Sequence, residues 1–330
     1  MSKFVILMQS DDNYAPFMGV ALTSLFENNK ALNAIDIAII DNGLNEDNKS
    51  RLQGLCDKYN RKLIFIPVQG VISYLEENNL PKLRGSYSTY LKLFVLDKLS
   101  EYDKAIYLDA DVIVAGNISE MVDMDLGDNV VAMALDVEPV IRKLQGISEP
   151  EKWYNAGVMV FNVPVYLNKN GQKLVMDFIK NNKLTLYFHE QDIINTLFRN
   201  EILEMSNRFN MQTIYLHIGL KNAAYVYDWS EQMLGKMQGA ANNPVIYHCF
   251  TIMGRRPWHR KYAMETTVKF DYYMGMSTYS DYVKAEPSVD IVNKIQSVCF
   301  SFLPRVLYAR LYKALYMKKM RGTFTNNPLC

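Results

Sequence analysis

The chain has 330 residues, enough for one large α/β domain with an appendage or for two ordinary domains. Hydrophobic residues make up 49% and charged residues 22%, the balance of a soluble globular protein, which excludes disordered and collagen-like classes. The net charge of +1 divides unevenly: residues 291–330 hold seven Lys and Arg and no acid, leaving −6 on residues 1–290, so no nucleic-acid partner is expected for the body.

Phe4 to Met8 form a short apolar run that passes straight into Ser10, Asp11 and Asp12. It suits a buried strand and lacks the cleavage pattern of a signal peptide. A helix is expected over residues 13–29, where Phe17, Val20, Ala21 and Phe26 recur at helical spacing, Asp12 or Asn13 caps the start and Pro16 fits the first turn. Residues 34–40 read as the next strand, closed by Asp41-Asn42-Gly43, residues 45–60 as an amphipathic helix and residues 62–68 as a third strand. This alternation predicts an α/β fold with a mostly parallel, three-layer sheet.

A further helix is expected over residues 85–99, then a strand from Lys104 that ends at Asp109. Residues 130–136 read as a strand ending at Asp136, residues 153–163 as a strand with a bend that glycine permits, and residues 188–200 as a helix with acids in its first turn. Near residue 265 the rhythm stops, which divides the chain into residues 1–265 and a helical, basic and aromatic extension, residues 266–330. Cys56, Cys249, Cys299 and Cys330 show no paired spacing, so neither disulfides nor a zinc knuckle is expected and a cytoplasmic location is the default. Pro304, Arg305 and Arg310 interrupt the best candidate for the ~20 apolar residues of a membrane span.

Two like charges close the strand that starts at Lys104. If Asp109 and Asp111 stay extended, the period of two turns both carboxylates to one side, at the strand end where open α/β sheets bind ligands. Hard oxygen ligands favour Mg²⁺ or Mn²⁺ shared with phosphate oxygens. The alternatives are a turn in which one Asp bonds backbone amides, or the Asp-x-Asp nucleophile of a haloacid-dehalogenase-type phosphatase. For that phosphatase the later acidic group is out of place, since Asp128 precedes its strand. His248, directly after Val245 to Tyr247, is a candidate third ligand that shifts the preference toward Mn²⁺, and Arg255 and Arg256 beyond it are candidates to hold a diphosphate. A structural histidine and solvated arginines are the alternatives.

In this order the chain resembles glycosyltransferase family 8, which includes glycogenin and the bacterial lipopolysaccharide galactosyl- and glucosyltransferases. The resemblance covers about residues 3–260 and is carried by Asp11 to Tyr14, Ser88 to Tyr90, Asp109, Asp111, Asp136, Asn155 to Gly157, Gln191, Asp192, Asn207 to Asn210, His248, Gly254, Pro257 and Trp258. It implies the Rossmann-like GT-A fold, with Mn²⁺, or alternatively Mg²⁺, bridging Asp109, Asp111, His248 and the diphosphate of UDP-glucose or UDP-galactose. Ala110, Lys92, Gly254 and Arg256 would lie beside that diphosphate. Asp11 would accept the uracil N–H, Asn13 would reach the ribose and Tyr14 would stack on the ring. Asp136, Asn155 and Gln191 would meet the sugar hydroxyls, with Gln191 steadying an oxocarbenium-like centre in a retaining, front-side reaction; a covalent route through Glu190 or Asp192 is the alternative.

The implied activity is hexosyl transfer to a saccharide or lipid-linked acceptor in bacterial lipopolysaccharide or capsule synthesis. A UDP-sugar-binding protein without turnover is the other reading. Two substitutions depart from the family: Tyr90-Leu91-Lys92 where Tyr-x-Arg is usual, and Arg256-Pro257-Trp258 where Lys-Pro-Trp is usual. The stretch from His248 to Gly254 is also longer than the family pattern.

In the tail, a helix over residues 305–317 would place Tyr308, Leu311, Tyr312 and Leu315 on one face and Arg310 and Lys313 opposite, with Lys318, Lys319 and Arg321 beyond. Near an anionic bilayer each base contributes about 1 kcal/mol, so peripheral attachment to the inner face of a bacterial membrane is expected, with a helix packed on the catalytic domain as the alternative.

Overall fold

The computed structural model describes residues 3–32, 35–80, 82, 85–136, 152–181, 190–262, 264–287 and 289–325, the last seven of these as backbone only. Its strands are β1 (Phe4–Ser10), β2 (Asp36–Asp41), β3 (Leu63–Pro67), β4 (Lys104–Leu108), β5 (Val112–Val114), β6 (Val131–Leu135), β7 (Tyr154–Asn162), β8 (Ile202–Met205), β9 (Met211–Gln212) and β10 (Ile246–His248). A seven-stranded sheet runs in the order β3-β2-β1-β4-β7-β6-β8, and a three-stranded sheet in the order β5-β10-β9. The expected mostly parallel sheet is present: β7 alone runs antiparallel to its neighbours in the large sheet. Val5, Ile6, Leu7 and Met8 of β1 are fully buried, as a central strand covered on both faces requires.

This topology sets the cleft. β1 pairs with β2 on one side and with β4 on the other, so the strand order reverses between β1 and β4, where α/β sheets leave a crevice. With Met8 opposite Leu108, the chain segments carrying Asp11 and Asp109 leave the sheet at the same edge. β5 and β10 then bring His248 opposite Val112, beside Asp111.

Three local expectations are corrected. Residues 85–99 form short turns at Ser88–Tyr90, Leu91–Phe94 and Leu96–Leu99 rather than one helix, because Tyr90, Leu91, Leu93, Phe94, Val95, Leu96 and Leu99 are all buried and no single helix face accommodates them. The helix Ala15–Asn28 has Pro16 in its first turn but no side-chain cap from Asp12 or Asn13. Asp11 Oδ1 accepts the Tyr14 N–H at 3.0 Å, while Asp12 accepts the backbone N–H of Asn45 and the amide of Asn48, fastening the first loop to the helix Glu46–Lys58. Asp109 and Asp111 do not share an extended strand; the chain turns between β4 and β5, which belong to different sheets.

After residue 265 the chain is helical, at Glu265–Met276, Ile291–Phe302 and Arg305–Thr325. Phe270, Tyr273 and Met274 join the core beneath the helix Ala15–Asn28, and Tyr279 lies where a Cβ on Gly19 would come within 2.5 Å of its ring. In the last helix Tyr308 and Ala309 are buried, and Tyr308, Tyr312 and Tyr316 stack in series toward Tyr227 of the body. The tyrosine face expected to meet a bilayer is therefore turned onto the protein. The apolar surface that faces outward lies one helix earlier, at Ile291, Val292, Ile295, Val298 and Phe302, and continues to Val306 and Leu307; Phe302 is 83% exposed. The side chains of Lys319 and Arg321, and Cys330, lie outside the described residues.

Candidate active site

At the edge shared by β1 and β4 a cleft of about 290 Å³ is lined by Gln9, Ser10, Asp11, Tyr14, Asn42, Ser88, Thr89, Lys92, Tyr107, Asp109, Ala110, Asp111, Glu190 and Arg256. Its inner end holds the acids. His248 Nε2 lies 3.6 Å from Asp109 Oδ2 and 3.3 Å from Asp111 Oδ1, and one ligand atom from each of the three residues lies within 4.8 Å of the others.

Backbone polarity fixes how these side chains point. The Gly157 N–H donates to Asn155 Oδ1 at 3.0 Å, so that atom is the amide oxygen, and it accepts the Asn210 amide at 2.8 Å. Asn210 then turns its own oxygen to His248 Nδ1 at 3.0 Å, which must carry the proton. Nε2 is thereby the ring nitrogen that faces the two carboxylates, placed to offer its lone pair to a cation bound between them. An oriented imidazole beside two carboxylates fits a divalent cation, with Asn210 as the outer partner that such ligands use. Gly157 makes the approach possible: a Cβ there would stand 2.1 Å from His248 Cε1 and 3.0 Å from Asp109 Oδ2.

The same logic reaches the far wall. The Ala156 N–H donates to Gln191 Oε1 at 3.1 Å and Asn155 Nδ2 donates to it at 3.2 Å, so Gln191 Nε2 is the donor to Asp136 Oδ2 at 2.7 Å. A single chain of amides thus ties His248 to Asp136 through Asn210, Asn155 and Gln191. The Gln191 oxygen is committed to two donors, which makes this residue the hub of a rigid network.

Charge in the cleft is balanced by buried partners. Lys92, 3% exposed, donates to Glu190 at 3.0 Å and lies 3.6 Å from Asp109. Burial opposes its charge, but Glu190, Tyr107 and Asp109 hold the ammonium well above its ordinary range. Burial pushes the Asp109 carboxyl up against the pull of Lys92, and the charge on Asp111 adds to the rise. For Asp111 burial is outweighed by His248 and Arg256, which bring its carboxyl down to about 2. Arg256 pairs with Asp111 Oδ2 at short range.

Of the residues singled out in the sequence, Asp11, Tyr14, Lys92, Asp109, Ala110, Asp111 and Arg256 line the cleft. His248, Asn155, Gln191 and Asp192 are buried behind it, and Asp136 is half-buried at the end of β6. Asn13 is exposed and lies off the lining, as does Gly254, whose Cα faces Val289 and Asn293 with φ near +74°. Tyr14 stands edge-on to Phe17 and Trp258. Arg255 turns away to Ser297. Gln9, Asn42 and Tyr107 were not singled out; Tyr107 donates its hydroxyl to Asp109 Oδ1 at 2.7 Å, and its place near the end of β4, two residues before Asp109, was the available signal.

The family described as Glycosyl transferase family 8 matches residues 5–262. The chain is 25% identical over 282 residues to General stress protein A of Bacillus subtilis, covering 83% of this chain and 94% of that protein. It is 25% identical over 272 residues to a lipopolysaccharide 1,2-glucosyltransferase of Escherichia coli, covering 79% of this chain and 74% of the relative. Among solved structures, the galactosyltransferase LgtC in complex with donor and acceptor sugar analogues superposes with a TM-score of 0.67 at 25% identity, covering 83% of this chain and 96% of LgtC.

Proposed function

From a chain that belongs to glycosyltransferase family 8 and has its GT-A-like fold, we infer a retaining hexosyltransferase that moves glucose or galactose from a UDP-sugar to a saccharide acceptor. The observation that carries the reading is the convergence of Asp109, Asp111 and a His248 whose Nε2 faces them while Asn210 holds Nδ1. These three residues would hold Mn²⁺ or Mg²⁺, and the ion would supply Lewis-acid stabilisation of the departing diphosphate. Asp11 and Tyr14 at the open end take the nucleoside, and Lys92, Ala110 and Arg256 line the path of the diphosphate. Asp136, held by the Gln191 amide, offers its carboxylate to sugar hydroxyls, and Asn155 supports that wall from behind by fixing Gln191.

A front-side retaining reaction suits these residues better than a covalent one. Glu190 is held by Lys92 and Asp192 is 5% exposed, so neither carboxylate is a free nucleophile. The names of the lipopolysaccharide relatives support an acceptor in bacterial cell-surface glycan. The test is a screen of UDP-glucose and UDP-galactose for Mn²⁺-dependent hydrolysis, followed by proton NMR of the transfer product. An α-linked product is expected. A β-linked product overturns the mechanism, and nucleotide-sugar binding without hydrolysis favours the binding-protein reading.

We also propose that residues 266–330 form an extension that places the enzyme on an anionic membrane. Among the described residues no helix is long and apolar enough to cross one. The exposed row Ile291, Ile295, Val298 and Phe302 lies in a stretch, residues 291–330, with seven bases and no acid, which matches a surface of anionic headgroups. Flotation with phosphatidylglycerol vesicles checks it: the full chain should bind, and Val298→Asp with Phe302→Asp should release it. Binding indifferent to both substitutions and to salt overturns the membrane role.

A further inference from the structure

Asp111 has two claimants. Its Oδ1 faces His248 Nε2 at 3.3 Å, inside the cluster suited to a dication, and its Oδ2 is paired with Arg256 Nη1. Arg256 is held in that position: its Nε donates to Thr251 Oγ1 at 2.8 Å and its guanidinium lies 5.2 Å from the Trp258 ring. A dication and a guanidinium on one carboxylate repel each other, and each weakens the other's hold. Arginine stays charged at every working pH, so the competition is not relieved by deprotonation.

The guanidinium has another anion within its range. Arg256 lines the same cleft as Asp11, Tyr14 and Lys92, so a nucleoside diphosphate laid between the loop and the acids passes it. Two phosphate oxygens match the guanidinium fork better than a single carboxylate oxygen does.

We propose that Arg256 gates the metal site: it holds Asp111 against a dication that arrives alone, and yields that carboxylate when a nucleoside diphosphate offers it a better partner. The gate rests on the reading that this cleft takes a nucleoside diphosphate. It makes dication and nucleotide bind in mutual support, each strengthening the other by the same factor. It also gives a reason for arginine at a position where a point charge would grip the carboxylate less firmly.

The test is Mn²⁺ binding, read from the electron paramagnetic resonance signal of the free aquo ion, with and without UDP. In the absence of UDP, Arg256→Gln should bind Mn²⁺ about 5- to 150-fold more tightly than the unaltered chain, the usual range of such couplings. With UDP present the gain should vanish or reverse. Arg256→Lys, which keeps the charge and loses the fork, should fall between the two, and circular dichroism checks that each variant is folded. Arg256→Gln that binds Mn²⁺ alone no more tightly overturns the gate. Equal gains with and without UDP, where UDP strengthens Mn²⁺ binding in both proteins, overturn the gate alone. If UDP alters Mn²⁺ binding in neither protein, the gate falls together with the nucleotide reading on which it rests.

Discussion

At the carboxyl ends of β1 and β4 the fold buries charge, whereas along residues 291–307 it exposes apolar surface. Burying an ion costs several kcal/mol unless a partner and hydrogen bonds compensate. Lys92, Asp109, Asp111, His248 and Arg256 meet that condition by pairing with one another and with Glu190 and Asn210. Exposing apolar area forgoes about 25 cal/mol per Å², and among the described residues Phe302 and Val306 stay largely exposed. Both regions depart from ordinary burial in opposite directions, and both departures are local. The body between them, with its fully buried β1 and β4 interiors, follows the rule. The comparison teaches where to look for chemistry and where to look for contact.

The largest expected effect breaks the charged end. Asp109→Asn should lower Mn²⁺-dependent transfer by about 100- to 1000-fold or more, the scale of losing one preorganised electrostatic group. Its fold should persist, because burial and Asp111 already raise the Asp109 carboxyl and the amide mimics the neutral acid. Turnover and a urea melt on the same sample decide it, and near-normal turnover removes the metal assignment.

Acid should sharpen the contrast at the junction with the helical extension. His217 stacks on Phe300 at 4.0 Å, and burial, with Arg305 nearby, brings its imidazole down to about 4. The folded chain therefore keeps His217 neutral while an unfolded chain protonates it near 6.5. Stability from this group is complete above pH 6.5 and is lost as pH falls toward 4, by up to about 3 kcal/mol. Urea midpoints at pH 7 and 4.5 measure the loss, and His217→Phe should flatten it.

Gly157→Ala tests how closely the acids and histidine are set. Its Cβ would meet His248 Cε1 at 2.1 Å, so overpacking should cost about 1–3 kcal/mol in stability and weaken Mn²⁺ binding together. Loss of one without the other would show that the site is looser than the glycine suggests. The smallest effect lies at the other end. Phe302→Ser, at an 83% exposed position, should change stability by less than about 0.5 kcal/mol while reducing vesicle binding. A large destabilisation there would mean that Phe302 is a structural contact after all.

Much of this was legible in the residues themselves. Apolar runs with period two or 3.6 are local signals, so β1 to β4, the helices Ala15–Asn28 and Glu46–Lys58 and the shift to helices after residue 265 follow from the sequence. Asp109, Asp111 and His248 were readable as candidate ligands because their side-chain chemistry and strand-end positions lie in the sequence. Their convergence was not, since it depends on β10 pairing with β5 across more than 130 residues. The turns of residues 85–99, the tyrosine face of Arg305–Thr325 turned onto Tyr227, and the orientation of His248 by Asn210 and Asn155 were likewise decided only by tertiary structure. Propensity fixes what a segment can form alone; which face it buries, and which nitrogen a ring presents, depends on the neighbours that the rest of the chain delivers.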